Sequence, residues 1–329
     1  MENVTEKVVN ESVFNTQAEY EMARAAVKEL CGRDINEGIA SYGSRNVTYV
    51  FANSIKPAVI RISPAAIKPL KTVYSEMMFI DYLREHMHTV CNPLPFNNQL
   101  INTIKVGDDE YYVVVSRKAN GASPKGTDFN DERVFEMYGE KLGRMHAASG
   151  KAQEEGFKFQ RPNWLQAPGF DFSMVKQITN IPEDVMNIMI KIRDQVAALP
   201  QLPATFGMIH GDMSPINSFM DWDDVWFFDF DDCCYHYYMY DICCFLIQSQ
   251  QAAVACGAKF NPVAAFIKGY ERSNHLPPEC WSADYMKKFF NLRIASGLWL
   301  LQQSRTKQGK ANAKNYTQHI VDALRGLEI

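Results

Sequence analysis

The segment from Gly207 to Asp231 constrains the architecture of this chain more than any other. Gly207-Met208-Ile209 is a short apolar run, and His210-Gly211-Asp212-Met213-Ser214-Pro215-Ile216-Asn217 is a polar loop. A second apolar run, Val225-Trp226-Phe227-Phe228, ends in Asp229-Phe230-Asp231. Short apolar runs bounded by Gly, Pro, Asn and Asp form strands, because a helix needs a longer periodic segment. Ser218-Phe219-Met220 and the turn-prone Asp221-Trp222-Asp223-Asp224 complete a hairpin. With the turn centred near Asp223, antiparallel pairing sets Asn217 beside Asp229 at the open end, where the Asp212 loop enters.

That arrangement implies a chemistry. A carboxamide and a carboxylate side by side offer oxygen ligands of the kind that Mg²⁺ takes together with substrate phosphates. The order His-x-Asp, an Asn five residues after the Asp, and a later Asp-Phe-x is that of the catalytic and metal-binding elements of kinases. On this reading Asp212 accepts the proton of an acceptor hydroxyl, while Asn217 and Asp229 hold the metal that neutralises the triphosphate. His210 braces the loop by hydrogen bonding and does not titrate during turnover.

A chain of 329 residues with 47% hydrophobic residues can bury a large core and suggests two lobes. The net charge of −4 gives no general attraction to nucleic acid or to an anionic membrane, so neither is an expected partner. The N-terminal Met1-Glu2-Asn3-Val4-Thr5-Glu6-Lys7 lacks the basic start and apolar core of a secretory leader. No uncharged apolar run reaches the length of a membrane span, since even Tyr237 to Leu246 contains Asp241. A cytoplasmic location is the expectation. The eight cysteines, including the pairs Cys233-Cys234 and Cys243-Cys244, form no Cys-x-x-Cys pattern and are expected as reduced, buried apolar residues.

In the N-terminal third, Thr16 to Leu30 has helical periodicity through Tyr20, Ala26, Val27 and Leu30, and Cys31-Gly32 offers a stop. Strands are expected at Ile39 to Ser41, Val47 to Ala52 and Ala58 to Ile62. The loop Tyr42-Gly43-Ser44-Arg45-Asn46 makes Ser44 and Asn46 candidate phosphate contacts through backbone N–H groups. It has no Gly-x-Gly-x-x-Gly pattern, and an ordinary hairpin turn explains it equally well. Arg61 stands in its strand where a Val-Ala-Ile-Lys motif places the phosphate-pairing lysine. Glu76, in a helical segment from Val73 to Met87, is its expected ion-pair partner. The planar fork of Arg suits phosphate or carboxylate, and the alternative is a half-buried strand residue with a solvated tip.

Gln99 to Val106 and Glu110 to Ser116 form a hairpin around Gly107-Asp108-Asp109, completing a sheet of about five strands. From Arg117 to Gly126 the composition becomes that of a linker. The boundary therefore divides a nucleotide-binding lobe, 1–117, from a catalytic and substrate-binding lobe, 118–329, with adenine meeting the backbone from Ser116 onward. Helices are expected at Asp131 to Ala148, Pro182 to Leu199, Tyr238 to Cys256, Pro262 to Arg272, Asp284 to Ser304 and Ala311 to Leu327. The catalytic stretch is the one expected β interruption. The fold class is α+β and bilobal, a small N-terminal antiparallel sheet with a helix and a larger, mainly helical C-terminal lobe, with the ligand cleft between them.

The chain resembles the aminoglycoside phosphotransferase and choline kinase superfamily, whose members have a protein-kinase-like fold and include homoserine-kinase-like enzymes. The motifs are His210-Gly211-Asp212 through Asn217, Asp229-Phe230-Asp231-Asp232, Leu142-Gly143-Arg144-Met145-His146 and Tyr240-Asp241-Ile242, and the match runs from roughly Ile35 to Leu246. The resemblance implies that Asp212 is the base, Asn217 and Asp229 are metal ligands, Arg61 contacts phosphate and Asp241 braces the catalytic loop. It implies ATP or GTP with Mg²⁺, and transfer of the γ-phosphoryl group to a hydroxyl of a small metabolite or antibiotic of the homoserine, choline, sugar or aminoglycoside type. A monomer or a homodimer is compatible with all of this.

Between Asp229 and the helix that contains Asp241 there is no room for the activation loop of a protein kinase, which favours a small acceptor. Asp231, Asp232, Tyr235 and the more distant Trp299 are candidates for an acidic and aromatic pocket that takes an aminated alcohol. Aromatic residues on helices also serve as ordinary core. A haloacid-dehalogenase-type phosphatase using Asp229 and Asp231 is the rival. It requires Thr or Val after the second Asp, where this chain has Asp232-Cys233, and it gives His210 to Asn217 no role. A catalytically silent nucleotide-binding relative is the third reading, against which the intact Asp212, Asn217 and Asp229 set argues.

Overall fold

The computed structural model describes residues 13–14, 16–42, 46–52, 56–172, 181–302 and 307–327, with backbone alone for 41–42, 299–302 and 307–315. The chain divides into two compact units, one drawn from 1–77, 91–118 and 298–319, the other from 78–90, 119–297 and 320–329.

The first unit is built on helix α1 (Gln17–Cys31) and strands β1 (Ile39–Tyr42), β2 (Val47–Phe51) and β3 (Ala58–Pro64), then the start of helix α2 (Leu70–Met87), as far as Met77, and strands β4 (Asn102–Val106) and β5 (Asp109–Arg117). Thr16 starts α1 with a capping box: its Oγ accepts from the Glu19 N–H and the Glu19 carboxylate accepts from the Thr16 N–H. Gly32, at φ +65°, ends it with an N–H to the Lys28 carbonyl. The five strands are antiparallel in the order β1-β2-β3-β5-β4. Alternation along β3 buries Ala58, Ile60 and Ile62 against Tyr20, Ala23 and Val27 of α1. Arg61 therefore points to the opposite face, between Thr48 and Val114 in register.

Strand β4 starts at Asn102, not at Gln99. Phe96 and Gln99 exchange two backbone hydrogen bonds across Asn97 and Asn98, both at positive φ, so a tight turn consumes the residues expected to begin the strand.

The second unit contains α3 (Glu132–Glu154), α4 (Glu183–Ala197), β6 (Phe206–Ile209), β7 (Ser218–Asp221), β8 (Asp224–Phe227), β9 (Cys234–Tyr237), α5 (Tyr238–Ala255) and α6 (Pro262–Tyr270). Helices α7 (Ala283–Gln302) and α8 (Lys307–Arg325) complete the element order. Among the described residues this is the α+β class expected. Helix α3 continues past Ala148 to Glu154. It meets α6 backbone to backbone: a Cβ on Gly269 would lie 1.9 Å from the Glu136 carbonyl oxygen. Strand β9, antiparallel to β6, corrects the expectation that the catalytic stretch is the one β interruption. It runs straight into α5 with no Gly or Pro between them, so no turn residue marks its end. Among the described residues no helix is long and apolar enough to cross a membrane.

His236 and His146 lie fully buried in this unit. His236 is stacked between Trp164 at 4.6 Å and Tyr240 at 4.5 Å, and its Nδ1 accepts from the Tyr237 N–H at 2.7 Å. Burial drives its pKa far below the ordinary 6.5, and it also lowers that of His146, where the Asp241 carboxylate opposes the shift. Below pH 6.5 the unfolded chain therefore binds protons that the folded chain does not. Stability should decline by about 1.4 kcal/mol per pH unit for each histidine until its folded pKa is reached, with no contribution above pH 6.5. Urea midpoints measured between pH 7.5 and 5.5 should show this decline, and His236→Phe should make it shallower.

Candidate active site

The site is assembled from the loop that leaves β6, the β7–β8 hairpin and the first turn of α5. Asp241, fully buried in that first turn, accepts the His210 N–H on Oδ2 at 2.7 Å and the Gly211 N–H on Oδ1 at 2.9 Å. A carboxylate in the first turn of a helix is also favoured by the helix dipole. His146 of α3 backs it, with Nε2 at 3.4 Å from Asp241 Oδ2 and Nδ1 at 2.8 Å from the Tyr270 hydroxyl. One buried side chain thus holds the two peptide units that precede Asp212.

Gly211 has φ +85°, and a Cβ there would lie 2.2 Å from the Asp232 carbonyl oxygen, so only glycine lets the loop pass the turn that follows Asp229. The imidazole of His210 is bonded at both nitrogens: Nε2 donates to the Phe228 carbonyl at 2.9 Å, and Nδ1 accepts from the Asp212 N–H at 3.3 Å. These partners assign the proton to Nε2.

The hairpin brings the remaining residues together. Ser218 pairs with Phe227 and Asp221 with Asp224, leaving a two-residue turn at Trp222-Asp223. At the open end the Phe228 N–H donates to the Asn217 carbonyl at 3.2 Å, which puts Asp229 one residue beyond the pairing. The Asn217 carboxamide turns back on the loop, Nδ2 donating to the Asp212 carbonyl at 2.8 Å and to Asp212 Oδ2 at 3.1 Å. Its Oδ1 is the atom that could hold a metal. Asp229 adopts a left-handed backbone, φ +66° and ψ +57°, which non-glycine residues seldom do. Phe230 then packs its ring on His210 at 4.5 Å and on Phe79 at 6.1 Å. Arg161 clamps the turn, Nε donating to the Cys233 carbonyl at 2.6 Å and Nη2 to the Asp231 carbonyl at 2.7 Å.

Among the described residues no group of three or more His, Cys, Asp or Glu side chains is arranged to hold a metal ion. An Asn oxygen with one Asp suits Mg²⁺, which is held by one or two protein oxygens together with substrate phosphates and water.

Asp212 has a second partner. Arg293 of α7 donates from Nη2 to Asp212 Oδ1 at 2.7 Å, with its side chain only 10% exposed. In the first unit Arg61 and Glu76 form a bidentate pair, Nη1 to Oε1 at 2.7 Å and Nη2 to Oε2 at 2.9 Å, with Glu76 1% exposed.

The other sequence candidates are more scattered. Asn46 precedes β2, Ser116 stands opposite Val59 in β5, and Ser44 lies outside the described residues. Asp231 is buried, and the Asp232 carbonyl abuts Gly211. The Tyr235 hydroxyl accepts the Phe159 N–H at 3.1 Å, and the Trp299 side chain lies outside the described residues.

No role for Arg161, His146 or Arg293 follows from the sequence. Arg293 did leave a signal, as the one charged residue between Lys288 and Arg305. The phosphatase reading is not supported: β8 belongs to a two-stranded antiparallel hairpin, and Asp231 sits buried in a short 3₁₀ turn.

An antiparallel five-stranded sheet with an Arg–Glu pair, and a helical unit with this catalytic loop and hairpin, define a phosphotransferase of protein-kinase-like fold. The sequence profile of the Phosphotransferase enzyme family matches residues 39–281, and the chain belongs to that family. It is a small-molecule kinase. It is 23% identical over 269 residues to amicoumacin kinase of Bacillus subtilis (strain 168), covering 78% of this chain and 77% of that one. Among solved structures it is similar to an amicoumacin kinase in complex with AMP-PNP, Ca²⁺ and Ami, with TM-score 0.74, 20% identity, and 92% and 93% of the two chains covered. A microcompartment-associated aminopropanol kinase gives TM-score 0.70, 18% identity, and 93% and 96% covered. A choline/ethanolamine kinase family protein from Mesorhizobium loti gives 0.61, 15%, and 94% and 95%.

Asp241→Asn tests the brace. An amide offers one acceptor where two backbone N–H groups need two, and its NH₂ would face a donor. The substitution should cost about 2 to 3 kcal/mol in chemical denaturation.

Proposed function

We propose that the chain transfers the γ-phosphoryl group of ATP to a hydroxyl of a small aminated molecule, with Mg²⁺ as the metal. The observation that carries this reading is the contact between the Asp212 carboxylate and the Asn217 carboxamide on a loop held by Asp241. Asp212 takes the proton of the acceptor hydroxyl as the new bond to phosphorus forms. Asn217, through Oδ1, and Asp229 are the residues that would hold the metal, which when bound neutralises charge on the phosphate oxygens. His210 and Asp241 keep the loop rigid, so that little rearrangement is needed in the transfer step.

The nucleotide contacts assigned to the N-terminal region, residues 1–117, are Arg61 held by Glu76, the loop containing Ser44 and Asn46, and the backbone at Ser116. Residues 118–329 carry the catalytic and acceptor groups. Asp231 and Asp232 supply negative charge beside the catalytic loop, with Tyr235 and Trp299 as the aromatic candidates. The names of the similar proteins, an aminopropanol kinase and a choline/ethanolamine kinase family protein, support an amino alcohol as acceptor. A cytoplasmic location suits the use of ATP.

The test is ADP formation from MgATP across amino alcohols, homoserine, choline, sugars and aminoglycosides. With the acceptor that works best, Asp212→Asn should lower kcat by about 10²- to 10⁴-fold and leave ATP affinity within a few-fold. Asp229→Ala should abolish the part of nucleotide affinity that depends on the metal. Full turnover in Asp212→Asn would remove Asp212 as the base.

A further inference from the structure

We propose that Arg293 is a positioning residue for phosphoryl transfer: it fixes the Asp212 carboxylate in the orientation that meets the acceptor hydroxyl. The proposal rests on the reading of Asp212 as the base. A carboxylate held at one oxygen still swings about its Cβ–Cγ bond, whereas one held at both does not. Asp212 is held at both, by Arg293 Nη2 on Oδ1 at 2.7 Å and by Asn217 Nδ2 on Oδ2 at 3.1 Å. Asn217 fixes the side that faces the metal ligands. Arg293 fixes the other.

The burial of Arg293 separates this pair from the surface ion pairs of the chain. Arg133–Asp131, Arg193–Asp194 and Arg325–Asp184 all have at least one well-exposed side chain and are worth little. Arg293 is nine-tenths buried, its Nη1 has no solvent contact, and its other polar neighbour is the buried Tyr240 side chain. Removing a guanidinium from water is unfavourable, and apolar residues of the same volume would pack at least as well. Stability alone therefore does not account for an arginine here, whereas holding the base does.

The anchoring of Arg293 points the same way. Ser296 Oγ donates to the Arg293 carbonyl at 3.1 Å and pairs with the Tyr240 hydroxyl at 2.8 Å, tying α7 to the first turn of α5. That turn also contains Asp241. Helix α5 thus fixes the backbone of the catalytic loop directly through Asp241, and its reactive side chain indirectly, through α7 and Arg293.

The experiment compares wild type, Arg293→Met, Arg293→Lys, Asp212→Ala and the double variant Asp212→Ala/Arg293→Met. It reads ADP release from MgATP with the fastest acceptor of the panel, water included, together with Mg·AMP-PNP affinity and melting temperature. Arg293→Met should slow ADP release by about 10- to 100-fold and change Mg·AMP-PNP affinity by no more than about twofold. Arg293→Lys should recover part of the rate, since it keeps one charged donor. In the Asp212→Ala background Arg293→Met should cause no further loss, because its effect passes through the missing carboxylate. Rate losses that multiply in the double variant, or a fall in Mg·AMP-PNP affinity matching the fall in rate, would overturn the proposal. Melting gives a reading independent of turnover. Asp212→Ala should lower the melting temperature by about 5 °C by stranding a buried charge, and adding Arg293→Met should restore part of it. Strictly additive shifts would refute the coupling. Wild type that fails to bind Mg·AMP-PNP would instead defeat the kinase reading, and the melting cycle would still report on the pair.

Discussion

The buried carboxylate of Asp241 is the interaction on which the site depends. Two backbone N–H groups leave β6 at His210 and Gly211 with no strand partner, and in the interior an unpaired N–H is costly. Asp241 accepts both, one on each oxygen. The loop direction is thereby set before Asp212 is reached, and the functional side chains inherit it. His146 and Tyr270 complete the arrangement from α3 and α6. Part of the helical packing of this unit, including the close α3–α6 approach at Gly269, therefore keeps one carboxylate in place.

A second constraint couples the loop that carries Asp212 to the turn that follows Asp229. His210 bonds the Phe228 carbonyl and packs on Phe230, while Gly211 lies against the Asp232 carbonyl. The two loops share a contact surface with no space for an additional methyl group. The left-handed backbone at Asp229 and the Arg161 clamp on the carbonyls of Asp231 and Cys233 belong to the same surface. Local strain of this kind persists only where the surroundings determine it.

The parts of this arrangement that were legible in the sequence are those set by short-range rules. The hairpin follows from its turn signal, although the turn falls at Trp222-Asp223 and so sets Asn217 beside Phe228, one residue short of the expected Asp229. The Arg61–Glu76 pair follows from a strand pattern followed by a helical one. The five-stranded sheet likewise follows from local runs of apolar residues and turn signals. Three features were not legible. Strand β9 has no breaker before α5, the Asn97-Asn98 turn resembles the start of a strand, and Arg293 reaches Asp212 only through the packing of α7. Nothing in the spacing of residues 212 and 293 sets their distance. Arg293 stands out as the one charge between Lys288 and Arg305, but only the fold supplies its partner.

The β7–β8 hairpin has a further consequence for how this chain can vary. Its fully exposed tip at Trp222 is remote in register from the open end, where Asn217 and Phe228 pair. Lengthening the ribbon by one residue on each arm leaves the pairing at the open end undisturbed. An odd insertion in a single arm would shift one strand against the other and turn its alternate side chains to the opposite face. The tip is accordingly free to diversify in matched pairs, whereas the residues of the open end around Asn217 and Phe228 tolerate no change of parity.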